Sequence, residues 1–243
     1  MKKILLIIII IFLTGCYNYT EINDLAFVSS IGIDYNKTNE KFIVTYEILN
    51  DNSTGEGKIN KSYTISAEGK NITDAFNNTS LKVNNKPYFY HLKIIAIDET
   101  ISKKHMKDVV DYILRNPDVK NEFFLILIKN AKAKDILDKS DEVDPDIGNK
   151  IFKMIKSNEE QNNISIDQNF EATTKFFTSK LSNALINTFT INDKEEIIEL
   201  GLSAFKEYEY VKTLTNEESA LFNLIIKGKA SLTLNKKDED KII

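Results

Sequence analysis

The chain has 243 residues, 42% of them hydrophobic, which excludes a disordered protein and is enough for one large domain or two small ones. Its formal charge is −4, from 32 basic and 36 acidic residues, and Arg115 is the single arginine. With no basic stripe to neutralise phosphates, the composition argues against nucleic-acid binding.

Lys2 and Lys3 precede an apolar run, Ile4–Leu13, closed by the small residues Thr14 and Gly15. A basic start, a short apolar middle and small residues at the cut are the layout of a secretory signal, so residues 1–15 are predicted to be a signal peptide. The run is short for a spanning helix, which needs about 20 residues; an uncleaved N-terminal anchor is the alternative. Leu13-Thr14-Gly15-Cys16 resembles a bacterial lipobox, in which the chain is cut between Gly15 and Cys16 and the cysteine carries lipid on sulfur. Each buried methylene contributes about 0.8 kcal/mol, and two acyl chains hold durably where one does not. Cys16 is the only cysteine, so this exported body is expected to stand without disulfides. Loss of Lys2 and Lys3 leaves it more acidic, set off from anionic headgroups, with the acyl chains doing the holding.

Beyond the signal, Leu25–Asp34 reads as a strand. The polar Tyr35–Glu40 then leads into Lys41–Asn50, where Phe42, Val44, Tyr46 and Ile48 alternate with mostly polar neighbours. This is a hairpin with one buried face. Asp51–Lys58 forms a loop, and Ile59–Ala67 is a third strand. The period then changes to a helix over about 71–84, with Ile72, Phe76, Thr79 and Val83 on one side and Asn71 and Asp74 as a capping box. Pro87–Glu99 carries a well-buried strand through Leu92, Ile94, Ile95 and Ile97. A second helix over about 101–115 ends before Pro117. Glu122–Lys129 is so continuously apolar that it reads as a central strand covered on both faces. The acidic linker Lys139–Asn149 divides the chain into an N-terminal α/β subdomain, 16–138, and a second one, 139–243. The second opens with a helix bearing Phe170, Thr173, Phe177, Leu181 and Leu185. A strand pair, Ile197–Phe205 and Tyr210–Leu214, follows, then a helix capped by Thr215 and Glu218, and a strand-like Lys227–Leu234.

Catalytic signatures are scarce. His91 and His105 form no metal-binding pair, and each reads as a packed or edge histidine. No nucleophile elbow, phosphate loop or dinucleotide fingerprint is present, and a lone cysteine makes no Cys–His pair. Glu159-Glu160, Glu195-Glu196 and Glu217-Glu218 read as solvated faces. The aromatic run Pro87–His91 fits sheet packing better than a stacking platform. The N-x-[ST] triplets at Asn52, Asn71, Asn78 and Asn163 fit an Asn- and Thr-rich composition. The residues point to no catalytic group, no cofactor and no metal.

Four ordered motifs carry a family resemblance. Glu21-Ile22-Asn23-Asp24-Leu25-Ala26 and Ile31-Gly32-Ile33-Asp34 follow the lipobox; Pro87–Ile95 gives an aromatic-His-Leu-basic-aliphatic strand; Tyr112–Asp118 is a helix end with Arg, amide and Pro. Leu200–Lys206 with Leu214–Ser219 completes the set. Together they resemble the Ger(x)C family, the C-subunit lipoproteins of spore germinant receptors. Tyr17-Asn18 stands where the family has Trp-Asp, and the resemblance implies a following domain that this chain, ending at Ile243, is expected to lack. The resemblance implies a non-catalytic subunit held by a diacylglyceryl anchor at Cys16 on the outer face of the spore inner membrane. It also implies assembly with membrane-embedded A and B receptor subunits that sense nutrients. The expected protein is therefore α+β, with mixed β-sheets, packed helices and two subdomains. A solute-binding lipoprotein of a transporter and a non-functional truncated germination lipoprotein are the alternatives.

Overall fold

The computed structural model describes residues 22–50, 62–141, 143–179 and 183–227. After a single 3-10 turn, Ile22–Asp24, strand β1 (Leu25–Asn36) pairs antiparallel with β2 (Lys41–Ile48), and β3 (Tyr63–Gly69) pairs antiparallel with β2. The alternation in the sequence sets this register: Ile31, Ile33, Val44 and Tyr46 all point into one core. The expected hairpin and third strand are therefore present, although β3 is an edge strand with Tyr63 exposed. The expected start of that strand at Ile59 lies outside the described residues.

Helix α1 (Ile72–Ser80) begins at Asn71, whose side chain accepts from the Asp74 N–H at 2.8 Å. The reciprocal bond of a full capping box is replaced by the Asn71 amide donating to the Asp74 carboxylate. The helix stops at Ser80, short of the expected Asn84. The predicted strand in Pro87–Glu99 divides into β4 (Lys86–Tyr88) and β5 (Ile94–Asp98), both parallel to β1. The break falls where β1 bulges at Ser29 in its pairing with β2: β4 pairs before Ser29, β5 pairs after it, and Lys93 N donates to Ser29 O between them.

A wide π turn, Ile101–His105, leads into α2 (Met106–Arg115), and β6 (Phe124–Ile128) follows, parallel to β5. All five residues of β5 and of β6 are buried, as the continuous apolar run predicts for a strand covered on both faces. Helices α3 (Ala133–Leu137), α4 (Ile147–Gln161) and α5 (Phe170–Phe177) come next. Then β7 (Asn183–Ile191) lies parallel to β6, and β8 (Ile197–Lys206) and β9 (Glu209–Thr213) complete the sheet antiparallel. Helix α6 (Asn216–Lys227) closes the described chain, and the predicted strand over Lys227–Leu234 lies almost wholly beyond it.

The product is α+β: one mixed nine-stranded sheet in the order β3-β2-β1-β5-β6-β7-β8-β9, with β4 alongside β1. Helices α1, α2 and α5 cover one face, where Phe76, Val109 and Phe177 meet Ile31, Ile95 and Leu125. Helices α3 and α4 cover the other, where Ile136, Ile151 and Ile155 meet Ala96, Ile126 and Phe189. The loop at the expected 138/139 boundary is there, but the sheet continues across it, because β6 pairs directly with β7. Leu185, expected on a helix, sits on β7 opposite Ala204.

The last helix is positioned by a glycine. Between the pairs Thr188–Gly201 and Phe189–Glu199, Leu200 is an extra residue, and Gly201 adopts φ +113°. A Cβ at Gly201 would meet Leu214 O and Ser219 Oγ at 2.6 Å each, and Ser219 Oγ accepts from Leu202 N at 3.0 Å. Gly201→Ala combines a left-handed backbone with two clashes, and is expected to cost about 2–3 kcal/mol. A lower urea midpoint and earlier proteolytic cutting in α6 would show it.

Candidate functional site

Strands β1, β5, β6 and β7 all run the same way, so the sheet has an amino end where they begin and a carboxyl end where they finish. The two family-like motifs at Pro87–Ile95 and Tyr112–Asp118 meet at the amino end. They supply Phe89, Tyr112, Arg115, Asn116, Pro117 and Asp118 to a cleft of about 450 Å³ whose other wall is the C-terminal half of α1. Its floor is aromatic: Phe76 and Tyr112 lie 4.5 Å apart between ring centroids, and Tyr46 and Phe89 lie 5.4 Å apart. Tyr46 Oη donates to Phe76 O at 3.3 Å and shares a hydrogen bond with Ser80 Oγ, and burial pushes its phenol up. Burial also raises Tyr112, whose hydroxyl accepts from Asn116 Nδ2 at 3.2 Å. Arg115 lies exposed at the rim and makes no ion pair among the described residues. Both phenols stay protonated at neutral pH, so the cleft offers hydroxyls, amides, one guanidinium and the Asp118 carboxylate. It can bind, but it presents no activated nucleophile.

Chemistry is concentrated instead in buried carboxylates that join elements. Glu47, fully buried on β2, accepts from Ser62 Oγ and Ile147 N at 2.7 Å, from Gly148 N at 3.0 Å, and from Ser30 Oγ. It thus caps the start of α4, where the helix dipole favours negative charge. Burial pushes its carboxyl up, while the hydroxyl and amide donors pull against that rise. Asp34 accepts from Ala133 N and Lys134 N at the start of α3, and burial pushes it up to about 6. Asp98 accepts from Tyr35 N, Ile101 N and Lys132 Nζ.

Glu199 is the sharpest case. The bulge at Leu200 turns it in beneath α4, where Oε2 accepts from Ser165 Oγ at 2.5 Å and Asn158 Nδ2 at 2.8 Å, while Oε1 is buried without a partner. Burial without a counter-ion pushes it up to about 7 from 4.5. Between pH 4.5 and about 7 the unfolded chain has lost this proton and the folded chain has kept it. Stability is therefore fully present below 4.5 and falls as pH rises through 7, by about 3 kcal/mol for this group. Asp34 adds to the same trend between 3.8 and about 6. Urea midpoints are expected to be lower at pH 8 than at pH 5, and Glu199→Gln to reduce that difference. An unchanged difference in the variant would contradict the assignment.

The predicted lipidation site, Cys16 with Gly15 before the cut, lies outside the described residues. His105 lies 4.2 Å from the Tyr35 ring and meets Phe42 edge-on at 5.1 Å, with Nδ1 3.3 Å from Asp108, an edge histidine as expected. His91 is exposed, its ring 5.7 Å from Phe27. Asn71 caps α1 and Asn78 Nδ2 donates to Glu68 O, so both amides are engaged in the fold. Among the described residues no group of three or more His, Cys, Asp or Glu side chains forms a metal site, and no helix is long and apolar enough to cross a membrane.

Sequence comparison agrees with the motifs. Residues 18–191 match the family model described as the spore germination protein N-terminal domain. The chain is 30% identical over 170 residues to spore germination protein KC of Bacillus subtilis (strain 168), an alignment covering 65% of this chain and 40% of that protein. It is 33% identical over 144 residues to the putative spore germination protein YfkR of the same organism, covering 56% of this chain and 37% of that one. With spore germination protein GerQC of Bacillus cereus the identity is 25% over 231 residues, 93% of this chain and 61% of the relative. The matched stretch thus spans between 37% and 61% of these relatives' lengths. No solved structure matches the chain. On the family model and the ordered motifs together, the chain belongs to the Ger(x)C family of spore germination proteins.

Proposed function

We propose that this protein is a non-catalytic, lipid-anchored subunit of a nutrient germinant receptor, held at the outer face of the spore inner membrane through Cys16. It acts in germination by assembling with membrane-embedded A and B subunits. The observation that carries the proposal is the family match over residues 18–191, which begins just after Cys16 in the lipobox-like Leu13-Thr14-Gly15-Cys16. The cleft of two high-pKa phenols, amides, a lone guanidinium and the Asp118 carboxylate supports a binding role over a catalytic one. The anchor fixes the height of the sheet above the bilayer, and the folded body stabilises the assembly. The experiment is a Cys16→Ala strain, scored for membrane retention of the chain and for nutrient-triggered germination. Normal germination with the chain released from membranes contradicts the tethering mechanism.

A further inference from the structure

We infer that the amino end of the sheet is a lipid-facing surface, resting against the headgroup layer of the bilayer that Cys16 anchors. The inference depends on that anchoring and adds an orientation to it. Five residues separate Cys16 from Ile22. At no more than about 3.6 Å per residue, six steps keep Ile22 within roughly 22 Å of the acylated cysteine. β1 starts three residues later, so the anchor keeps its first residues within reach of the membrane.

What surrounds that point differs from the rest of the surface. β4 pairs with the first residues of β1, Leu25 with Lys86 and Phe27 with Tyr88, and Asn85 Nδ2 donates to Asn23 O at 2.9 Å. Nine large apolar side chains are exposed among the described residues, and four lie at this end: Leu81 at 83%, Tyr90 at 57%, Tyr63 at 46% and Leu114 at 43%. Topology puts them together. Leu81 follows α1 on the way to β4, Tyr90 lies between β4 and β5, Tyr63 opens β3, and Leu114 closes α2 on the way back to β6.

Tyr90 stacks on Tyr88 at 5.6 Å with 8° between the rings, and Lys120 Nζ lies 3.5 Å over the Tyr90 ring. Tyrosine rings backed by lysines are the chemistry of the membrane–water interface, where an apolar ring meets a wet hydroxyl. Arg115, without an ion pair among the described residues, offers a planar fork that matches a phosphate. Charges of both signs are mixed at this end, with Asp24, Asp118 and Glu122 among Lys82, Lys86, Arg115 and Lys120. A zwitterionic headgroup layer therefore suits this surface without a requirement for anionic lipid.

At the carboxyl end the turns Lys37-Thr38-Asn39-Glu40 and Asp193-Lys194-Glu195-Glu196 are exposed and polar throughout. The amino end also has an exposed charged turn, Lys206-Glu207 between β8 and β9, so what distinguishes it is the tyrosine and leucine side chains exposed around β1 and β4.

The chain contains no tryptophan, so one introduced indole reports its own surroundings alone. Full-length acylated protein carrying Tyr90→Trp or, at the far end, Thr38→Trp is reconstituted into phosphatidylcholine vesicles whose acyl chains are brominated near the carbonyl. Flotation is scored first and indole quenching second. The expected result is flotation of both variants, loss of most of the fluorescence of the Tyr90→Trp protein, and little loss for Thr38→Trp. Lys86→Trp, at an exposed position beside Leu25, repeats the near-end measurement if Tyr90→Trp does not fold. Flotation with equal quenching of near and far indoles overturns the orientation while leaving the anchor intact. Failure to float overturns the anchor reading itself, and the orientation with it.

Discussion

A Glu47→Ala variant is expected to lose about 3–5 kcal/mol of stability, a large share of the 5–15 kcal/mol typical of a domain. The carboxylate accepts from two hydroxyls and two backbone amides, none of which has water to fall back on. Removing it strands four buried donors and leaves a void between β1, β2 and the start of α4. Those elements are far apart in sequence, so the damage is to tertiary joining and not to one local turn. Glu47→Gln keeps the volume but puts an N–H₂ toward donors, and is expected to fall between wild type and Ala. Denaturant titration of the detergent-solubilised chain, at constant slope, gives the ranking wild type, Gln, Ala. Equal midpoints for all three would mean that the clasp contributes nothing.

The second large effect concerns Cys16. On the proposed anchoring, Cys16→Ala removes the thiol that would take the diacylglyceryl group, and with it the two acyl chains expected to give durable membrane binding. Tethering raises the effective concentration of one partner near another, commonly by a factor of about 10²–10⁴. In a Cys16→Ala strain, assembly with membrane partners is expected to weaken by an amount in that range. The readouts are transfer of the chain from the membrane to the soluble fraction and a fall in nutrient-triggered germination. Supplying the variant in large excess is expected to restore part of the response, since mass action replaces the tether. A strain whose chain stays with the membrane would instead show an anchor other than lipid on Cys16, either protein contacts or the uncut apolar run Ile4–Leu13, which the mass of the retained chain tells apart.

Periodicity made the core of the fold legible. Alternation in Phe42, Val44, Tyr46 and Ile48 set the β1–β2 register, and the continuous apolar run at Glu122–Lys129 marked the strand buried on both faces. The same rule misled where a face was polar and still buried. Thr45 and Glu47 occupy the supposed solvent side of β2, yet both are fully buried, and at Glu47 the start of α4 and two hydroxyls satisfy the carboxylate. An acid midway along an alternating strand was the available signal. The strand β7 was hidden because Leu181 and Leu185 continue the i, i+4 spacing of Phe177 by coincidence. Thr178 caps α5 on Thr174 O before that spacing can be used. Of the candidate site, the motifs named Phe89 and Tyr112–Asp118 but not their meeting. The cleft needs Tyr46 and Ser80 as well, from segments joined only by the fold.

The central claim is that this chain works as an anchored member of a receptor assembly. Affinity capture of the tagged full-length chain from detergent-solubilised spore membranes, with mass spectrometry of what accompanies it, tests that most directly. The account predicts recovery of membrane-embedded A- and B-type subunits together with an acylated peptide that begins at Cys16. An acylated chain recovered alone would contradict the receptor role while keeping the anchor, and a chain carrying no lipid would contradict the anchor.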